Sequence, residues 1–595
     1  MRYLSLFYLS NSLHIFVVSC REFLYNIEGE TMILTKIPAK KKNDVYLAIT
    51  DAYRENGKVK RRTVKKLGYL SELKKEYSDP IAYFKEEAKR MTEEKKKNGG
   101  IQNLKIDFSL PANESAKYKF GNLIINEIIK SFKLDSIFRK EKDNSKLKIN
   151  LNKIFHYLIA KQILEPSSKF KSFEDQDKYF GISNINLHDI YRALDYFNKL
   201  SSSIQIKMVE QTKEQYSRDF STMYYDCTNY YFEIDIEDDF RKYGFSKEHR
   251  PNPLVQMGLF SDKDGIPLAY DIFKGSQNEQ KTMIPIEKEI ISNISNTHLI
   301  VCADAGLCSA NNKYFNNIPG KRDYIFVQSL KKVKDYLDSE IFSNNNKKWI
   351  MVNQKFKYYQ RPINDKIKVT LFDDIIEPIH EAKLIVTYDE DFANYLKFIR
   401  NKRVEKAKSI IASPSKFNKE TSKDGKQYIK NIKYDKNGEI ISDVLLLDQE
   451  KIDYEEKYDG YYALITSLVD EDPLKIISIN KQRWEIEDCF RTLKSYLKAR
   501  PIYLSKEERI NGHFLLNFVA LTILKLMQKK LRETNPKEET TISKIIEALR
   551  ELEITEIADN IYANGNVSSL SSKIMDLYKL NLNKKFLKKI NLISD

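Results

Sequence analysis

Three acidic residues stand where an acid is hard to accommodate. Asp226 interrupts the otherwise apolar and aromatic run Thr222-Met223-Tyr224-Tyr225-Asp226-Cys227-Thr228-Asn229-Tyr230-Tyr231-Phe232, and Asp304 ends the run His298-Leu299-Ile300-Val301-Cys302-Ala303. Glu487 lies further on, between Arg483 and Lys494. A buried carboxylate is unfavourable unless it is paired or binds a metal. Three carboxylates without clustered histidines or thiolates suit Mg²⁺ or Mn²⁺, which prefer oxygen ligands. Two such ions can activate a water or a 3′-hydroxyl and stabilise the leaving oxygen of an in-line phosphoryl transfer. Taken singly, each aspartate reads equally well as a turn acid or a helix N-cap, and Arg483–Lys494 as a solvated face with i,i+4 pairs. Only the three together indicate a site. There is no GxxxxGK[ST] loop, so nucleotide hydrolysis is not expected.

Specific elements must position these acids. Ile486, Phe490, Leu493 and Leu497 fall at i, i+4, i+7 and i+11, which predicts one helix through Arg483–Lys494, with Arg483, Glu487 and Lys494 on the face beside the apolar stripe. Trp484 is expected to pack beside that helix. Upstream, the chain reads as a strand at 222–232, a second from Leu254 to Phe260, a turn at 261–265, and a third from Ile266 to Phe273. A helix follows from Glu279 to Ile291, then the strand ending at Asp304, a helix from Ser309 to Phe315, and a strand from Tyr324 to Val327. The order β-β-β-α-β-α-β is that of a ribonuclease-H-like core, in which the first and fourth strands are central neighbours. Asp226 and Asp304 would then face one another, and Glu487 would join them from a helix packed across the sheet.

The rest of the chain supplies context. The 595 residues imply several domains, and 42% hydrophobic with 31% charged residues is a globular balance. The net charge of +16 points to a polyanionic partner. Five scattered cysteines fit neither a disulfide framework nor a CxxC zinc site, which agrees with a reducing cytoplasm. Residues 1–31 differ in character from the remainder of the chain. They read as a leader translated by mistake ahead of Met32, the alternative being a membrane-directing segment; no other span is evident, and no membrane partner is expected. Residues 32–107 read as a basic hairpin turning at Asn56-Gly57, followed by a helix. Lys60, Arg61 and Arg62, extended by Lys40, Lys41 and Lys42, would contact phosphates, the alternative being an edge strand guarded by lysines. Residues 108–220 read as a helical DNA-binding or assembly region, 221–330 with 471–500 as the catalytic core, 331–470 as a β-rich insertion, and 501–595 as a helical C-terminal region.

Taken in order, these motifs resemble the DDE transposases of bacterial insertion sequences, in the insertion-sequence-four superfamily, whose marker is Tyr-x2-Arg-x3-Glu-x6-Lys. Arg483, Glu487 and Lys494 match it at the right spacing, whereas Asn480 stands where the family has tyrosine. Further matching pieces are Gly265-Ile266-Pro267-Leu268, Glu165-Pro166-Ser167-Ser168-Lys169, Arg500-Pro501-Ile502 and Gly512-His513. The resemblance implies a catalytic and metal-ligating role for Asp226, Asp304 and Glu487, with two Mg²⁺ or Mn²⁺ ions. It implies DNA contacts through Arg483, Lys494 and the position of Asn480, and a β-rich insertion between the second and third acids. In relatives a tryptophan of that insertion stacks on a flipped base. Trp349 is the tryptophan here, and an ordinary core role competes with stacking. The expected function is metal-dependent cleavage and strand transfer at terminal inverted repeats, by a homodimer holding double-stranded DNA. A different ribonuclease-H-like nuclease would share the acids but lack the Arg483–Lys494 signature and the long insertion. A decayed transposase that only binds DNA would tolerate loss of the acids.

Overall fold

A computed structural model describes residues 32–592, apart from 40–43, 56–57, 98–116, 146, 249, 294–297, 333–339, 343–347, 372–373, 414–425, 435–439, 539 and 559. The expectations for the 1–31 leader, for Lys40–Lys42 and for the Asn56-Gly57 turn lie outside these residues. The chain divides into two compact units.

In the first unit the expected hairpin, Asp44–Glu55 with Lys58–Tyr69, gains a third antiparallel strand, Met32–Ala39. Leu47, Leu73 and Phe84 form its small core, and the helix Pro80–Lys97 is tied on through the Met32 amide, which donates to Thr92 Oγ1 at 3.1 Å. Arg61 and Arg62 are exposed, and Arg62 reaches the buried Asp51 at 3.0 Å; the Lys60 side chain is outside the described set. The C-terminal region departs from its helical expectation. It contributes three short strands, Glu553–Ala558, Ile561–Asn564 and Phe586–Lys588. The first, Glu-Ile-Thr-Glu-Ile-Ala, shows no strict alternation, and six residues are too few to stand out among lysine-rich helical windows.

The second unit is built on a nine-stranded sheet. Its strands are β1 (Thr222–Tyr231), β2 (Leu254–Asp262), β3 (Pro267–Lys274), β4 (Leu299–Ala303), β5 (Arg322–Val327), β6 (Ile350–Met351), β7 (Phe356–Lys366), β8 (Ile379–Asp389) and β9 (Tyr461–Thr466). The spatial order is β6-β7-β8-β9-β5-β4-β1-β2-β3. The half β5-β4-β1-β2-β3 has the predicted order. β1 pairs antiparallel with β2 and parallel with β4, and β4 pairs parallel with β5. Parallel strands covered on both faces read as continuous apolar runs, and β4, parallel to both its neighbours and reading Leu-Ile-Val-Cys-Ala, does. The strands of residues 331–470 extend this same sheet, joining it where β9 pairs antiparallel with β5, Thr466 opposite Ile325.

Four helices bear on the site: α1 (Met283–Asn293), α2 (Pro473–Lys481), α3 (Trp484–Arg491) and α4 (Glu507–Thr534). Helices Gly121–Ser131, Leu151–Leu164, Leu187–Lys199 and Ser201–Gln215 fill the segment ahead of β1. Among the described residues α4 alone is long and apolar enough to cross a membrane, and its apolar window is 94% buried. It is a core helix of this unit.

Candidate active site

Parallel pairing sets the two aspartates. Tyr225 of β1 lies opposite Ala303 of β4, so Asp226 and Asp304 occupy the next position on each strand at the sheet centre. Tyr224 and Tyr225, preceding Asp226, are fully buried. Asp226 itself is half-buried, and its Oδ1 accepts the Cys227 amide at 2.7 Å. Asp304 caps a short 3-10 turn, accepting the Ala305 amide at 2.8 Å, so it is also the cap that its position before Ala305-Gly306 suggested. Half of its side chain remains open to solvent.

The third acid rides on α3, and a polar web fixes that helix. Ile486, Cys489 and Phe490 are buried, and the Cys489 thiol donates to the Gly265 carbonyl at 3.0 Å. Gly265 has φ +71°, and a Cβ there would meet Glu485 Oε2 at 2.7 Å, so the β2–β3 turn admits only glycine beside α3. Lys525 of α4, itself buried, bonds Glu485 at 3.2 Å and Asp488 at 2.8 Å. The Tyr224 hydroxyl, reaching from β1, donates to the Ile479 carbonyl at the end of α2 at 2.8 Å.

Arg483 joins the three acids. Its guanidinium stands 3.3 Å from Glu487 and 3.8 Å from Asp304. Burial opposes its charge, yet Asp304, Tyr462, Glu487 and Asp226 together hold it more firmly protonated than usual. Burial pushes the Asp226 carboxyl up to about 6, against the pull of Lys247 and Arg483 and with added repulsion from Asp304. The chemistry suits a divalent cation: oxygen donors alone, one half-buried carboxylate whose charge burial disfavours, and a guanidinium standing as a cation between two others. Among the described residues no three such side chains yet close round a single point.

Lys494 departs from its expected place. The single helix ends at Arg491, and residues Thr492–Tyr496 form a π turn, with the Leu497 amide bonding the Thr492 carbonyl at 3.0 Å. Leu493 and Leu497 stay buried as the stripe requires. Lys494 sits 3.2 Å from Glu248 and 5.6 Å above the Tyr230 ring, and its charge is coupled to Glu248, Arg500 and Lys247 rather than to Glu487. Trp484 is 49% exposed instead of packed. Asn480 is buried, its amide donating to the Tyr462 hydroxyl at 3.4 Å. Trp349 packs against Tyr359 and Tyr461 with Lys357 Nζ 4.9 Å over its ring, so stacking on a base would require it to leave these partners.

Lys247 and Tyr462, both near the acids, carried no signal in the sequence. Lys247 donates to the Cys227 carbonyl at 2.6 Å and pairs with Glu279 at 3.4 Å; burial works against its charge, but Asp226 and Glu279 raise it overall. Tyr462 of β9 places a phenol beside Arg483, next to the asparagine that stands in for the family tyrosine. Each comes from a loop or strand remote in sequence from its partner, and only the sheet order brings it here.

The model of the IS1634 family transposase N-terminal domain matches residues 34–103, and that of the transposase DDE domain matches residues 227–523, a span that begins one residue after Asp226 and contains Asp304 and Glu487. No curated protein sequence matches. A solved structure, the cryo-EM synaptic complex of piggyBac transposase with hairpin DNA, aligns over 80% of this chain and 84% of that one at 10% identity with a TM-score of 0.36, a likeness too slight to carry an argument. With one model matching the N-terminal segment and the other spanning the sheet that holds the acids, the chain belongs to the DDE transposases of insertion sequences.

Proposed function

We propose that Asp226, Asp304 and Glu487 are the catalytic acids, and that the enzyme binds the terminal inverted repeats of its own element, cleaves there and joins the freed ends to target DNA. The observation that carries this reading is the register of β1 on β4, which sets Asp226 beside Asp304, with Arg483 linking Asp304 to Glu487. The three acids would hold Mg²⁺ or Mn²⁺, two ions in this reading, and the metal supplies Lewis acidity at the scissile phosphate. The chain's own groups set the conditions. Arg483 keeps Asp304 and Glu487 from repelling one another and offers a guanidinium to a phosphate. Lys247 offsets part of the charge of Asp226. The exposed Arg61 and Arg62, with Lys60 on the same strand, give sequence-independent affinity for the DNA backbone. Holding two ends calls for a homodimer, and a DNA substrate fits an enzyme of the cytoplasm.

The test is a cleavage assay with the full chain on labelled duplex carrying the repeats that flank the gene. Mg²⁺-dependent nicking at the repeat end is expected, abolished by EDTA. Asp226→Asn and Glu487→Gln should each lower the rate by at least about a thousandfold while leaving duplex binding within a few-fold. Variants that lose binding but nick normally once bound would refute the assignment. Binding without nicking in any metal would support a chain that only binds DNA.

A further inference from the structure

A cavity of about 200 Å³ lies where Lys169, Ser167 and Tyr191 of the helical segment face Lys498, Arg500 and His513. Among the described residues its lining holds three cations and no carboxylate. Lys169 is the unusual member. Its side chain is buried, with 6% of the residue exposed, and the partner found for its ammonium is His513 Nδ1 at 3.2 Å. The other ring nitrogen of His513 lies 3.3 Å from the Ala499 carbonyl. The Asn517 amide nitrogen lies 3.1 Å from this same nitrogen, Nε2. A lysine ammonium can only donate, so Nδ1 accepts from Lys169 and a neutral ring then carries its proton on Nε2. The histidine is held neutral, since burial and the neighbouring Lys169 press its pKa down to about 3. Lys169 is thus fixed in place by an uncharged partner, with N–H groups to spare and no counter-ion among the described residues. Burial alone pulls its pKa down, to about 8. Lys498, on the exposed rim, takes the left-handed conformation at φ 45°, which a lysine rarely adopts.

This cavity lies apart from the acids but on a path of cations leading from them. Lys494 and Arg500 share Glu248, and they stand over the rings of Tyr230 and Tyr231, the residues that end β1. Along an extended strand, the four to five residues from Asp226 to that point span roughly 15 Å, about four nucleotide steps of one DNA strand. Arg500 belongs both to this path and to the cavity wall.

We propose that the cavity around Lys169 is an oxyanion site that takes one backbone phosphate of bound DNA, a few nucleotides from the phosphate that reacts. It rests on the proposed DNA-cleaving function. Lys169 supplies the buried charge, His513 orients it, and Lys498, Arg500 and the hydroxyls of Ser167 and Tyr191 complete a wall rich in donors. A phosphodiester and a free phosphate share the chemistry this wall recognises, and the experiment separates them.

The experiment measures binding of the full chain to an end-repeat duplex across a salt series, for the parent and for Lys169→Met. It is repeated with duplexes carrying one uncharged methylphosphonate linkage at successive positions. The logarithmic salt slope of Lys169→Met should be shallower by about one, the mark of one lost phosphate contact. One linkage should weaken the parent when neutralised and leave Lys169→Met unaffected. Lys498→Ala, on the exposed rim, should show the same coupling in part and serves if Lys169→Met does not fold. Unchanged slopes in folded variants, with the parent still binding, would overturn this proposal alone. A parent that binds no DNA would overturn the wider reading with it. Heat stabilisation of the parent by inorganic phosphate, absent in Lys169→Met and with no linkage coupled, would assign the site to the free anion and overturn the DNA assignment.

Discussion

Glu287 of α1 is fully buried, the Asn316 amide lies 3.0 Å from one of its oxygens, and its other oxygen has no partner among the described residues. Burial raises its carboxyl from 4.5 to about 7. Between those values the folded chain keeps a proton that the unfolded chain has released, so this group's contribution to stability falls as pH rises through the window and is constant outside it. The full span is about 3 kcal/mol. Denaturant unfolding should therefore find Glu287→Gln more stable than the parent above pH 7 by up to that amount and nearly equal to it below 4.5; equal stabilities at both ends would show that the burial is not felt. At this scale the sequence was most legible where chemistry and setting conflicted. An acid amid Tyr224, Tyr225 and Cys227 stands out in one dimension. Lys247 and Tyr462 do not, because a lysine in a loop and a tyrosine in a strand are ordinary until the topology sets them beside Asp226 and Arg483.

The α3 helix shows how an element is held by charge inside a core. Lys525 is buried between Glu485 and Asp488, and Arg532 lies 3.7 Å from Glu485. Such a network is not in itself a large source of stability, but removing one member leaves the others buried and unpaired. Lys525→Met should cost about 3 kcal/mol, and the further change Glu485→Gln should recover part of it, a non-additivity that thermal melts of the single and double variants would read out. Additive losses would mean that the three groups do not act together. The apolar stripe of α3 was readable from spacing, and Ile486, Phe490, Leu493 and Leu497 are all buried. The π turn at Thr492–Tyr496 was not, since one widened turn leaves the apolar pattern nearly intact while swinging Lys494 to Glu248. Residues 553–558 and 561–564 were misread for a related reason, as four to six residues carry too few periods to distinguish strand from helix.

Across the whole second unit, the strand order of the catalytic half could be inferred because each run was apolar, of strand length and bounded by turns. That residues 331–470 continue the same sheet could not, because pairing across a sheet leaves no mark on local pattern. β9 covers the edge of β5 through Leu464, Ile465 and Thr466, and β8 in turn covers β9. Excising residues 331–470 and joining the ends with a flexible linker should therefore yield no folded core. Circular dichroism and limited proteolysis should show loss of cooperative unfolding, and a stable, compact product would contradict a sheet that runs unbroken through both segments.

The same continuity orders events during synthesis. Once residue 327 has left the ribosome, the strands β1 to β5 have all emerged, but β5 has no partner on its outer edge until residues 461–466 emerge, and α3 follows only after that. At about 5–20 residues per second this interval lasts on the order of ten seconds. Throughout it the nascent chain lacks Glu487, the third of the proposed catalytic acids, while its open strand edge invites pairing with a neighbouring nascent chain. A message broken before codon 461 would yield a protein that lacks the third proposed acid and is prone to aggregate.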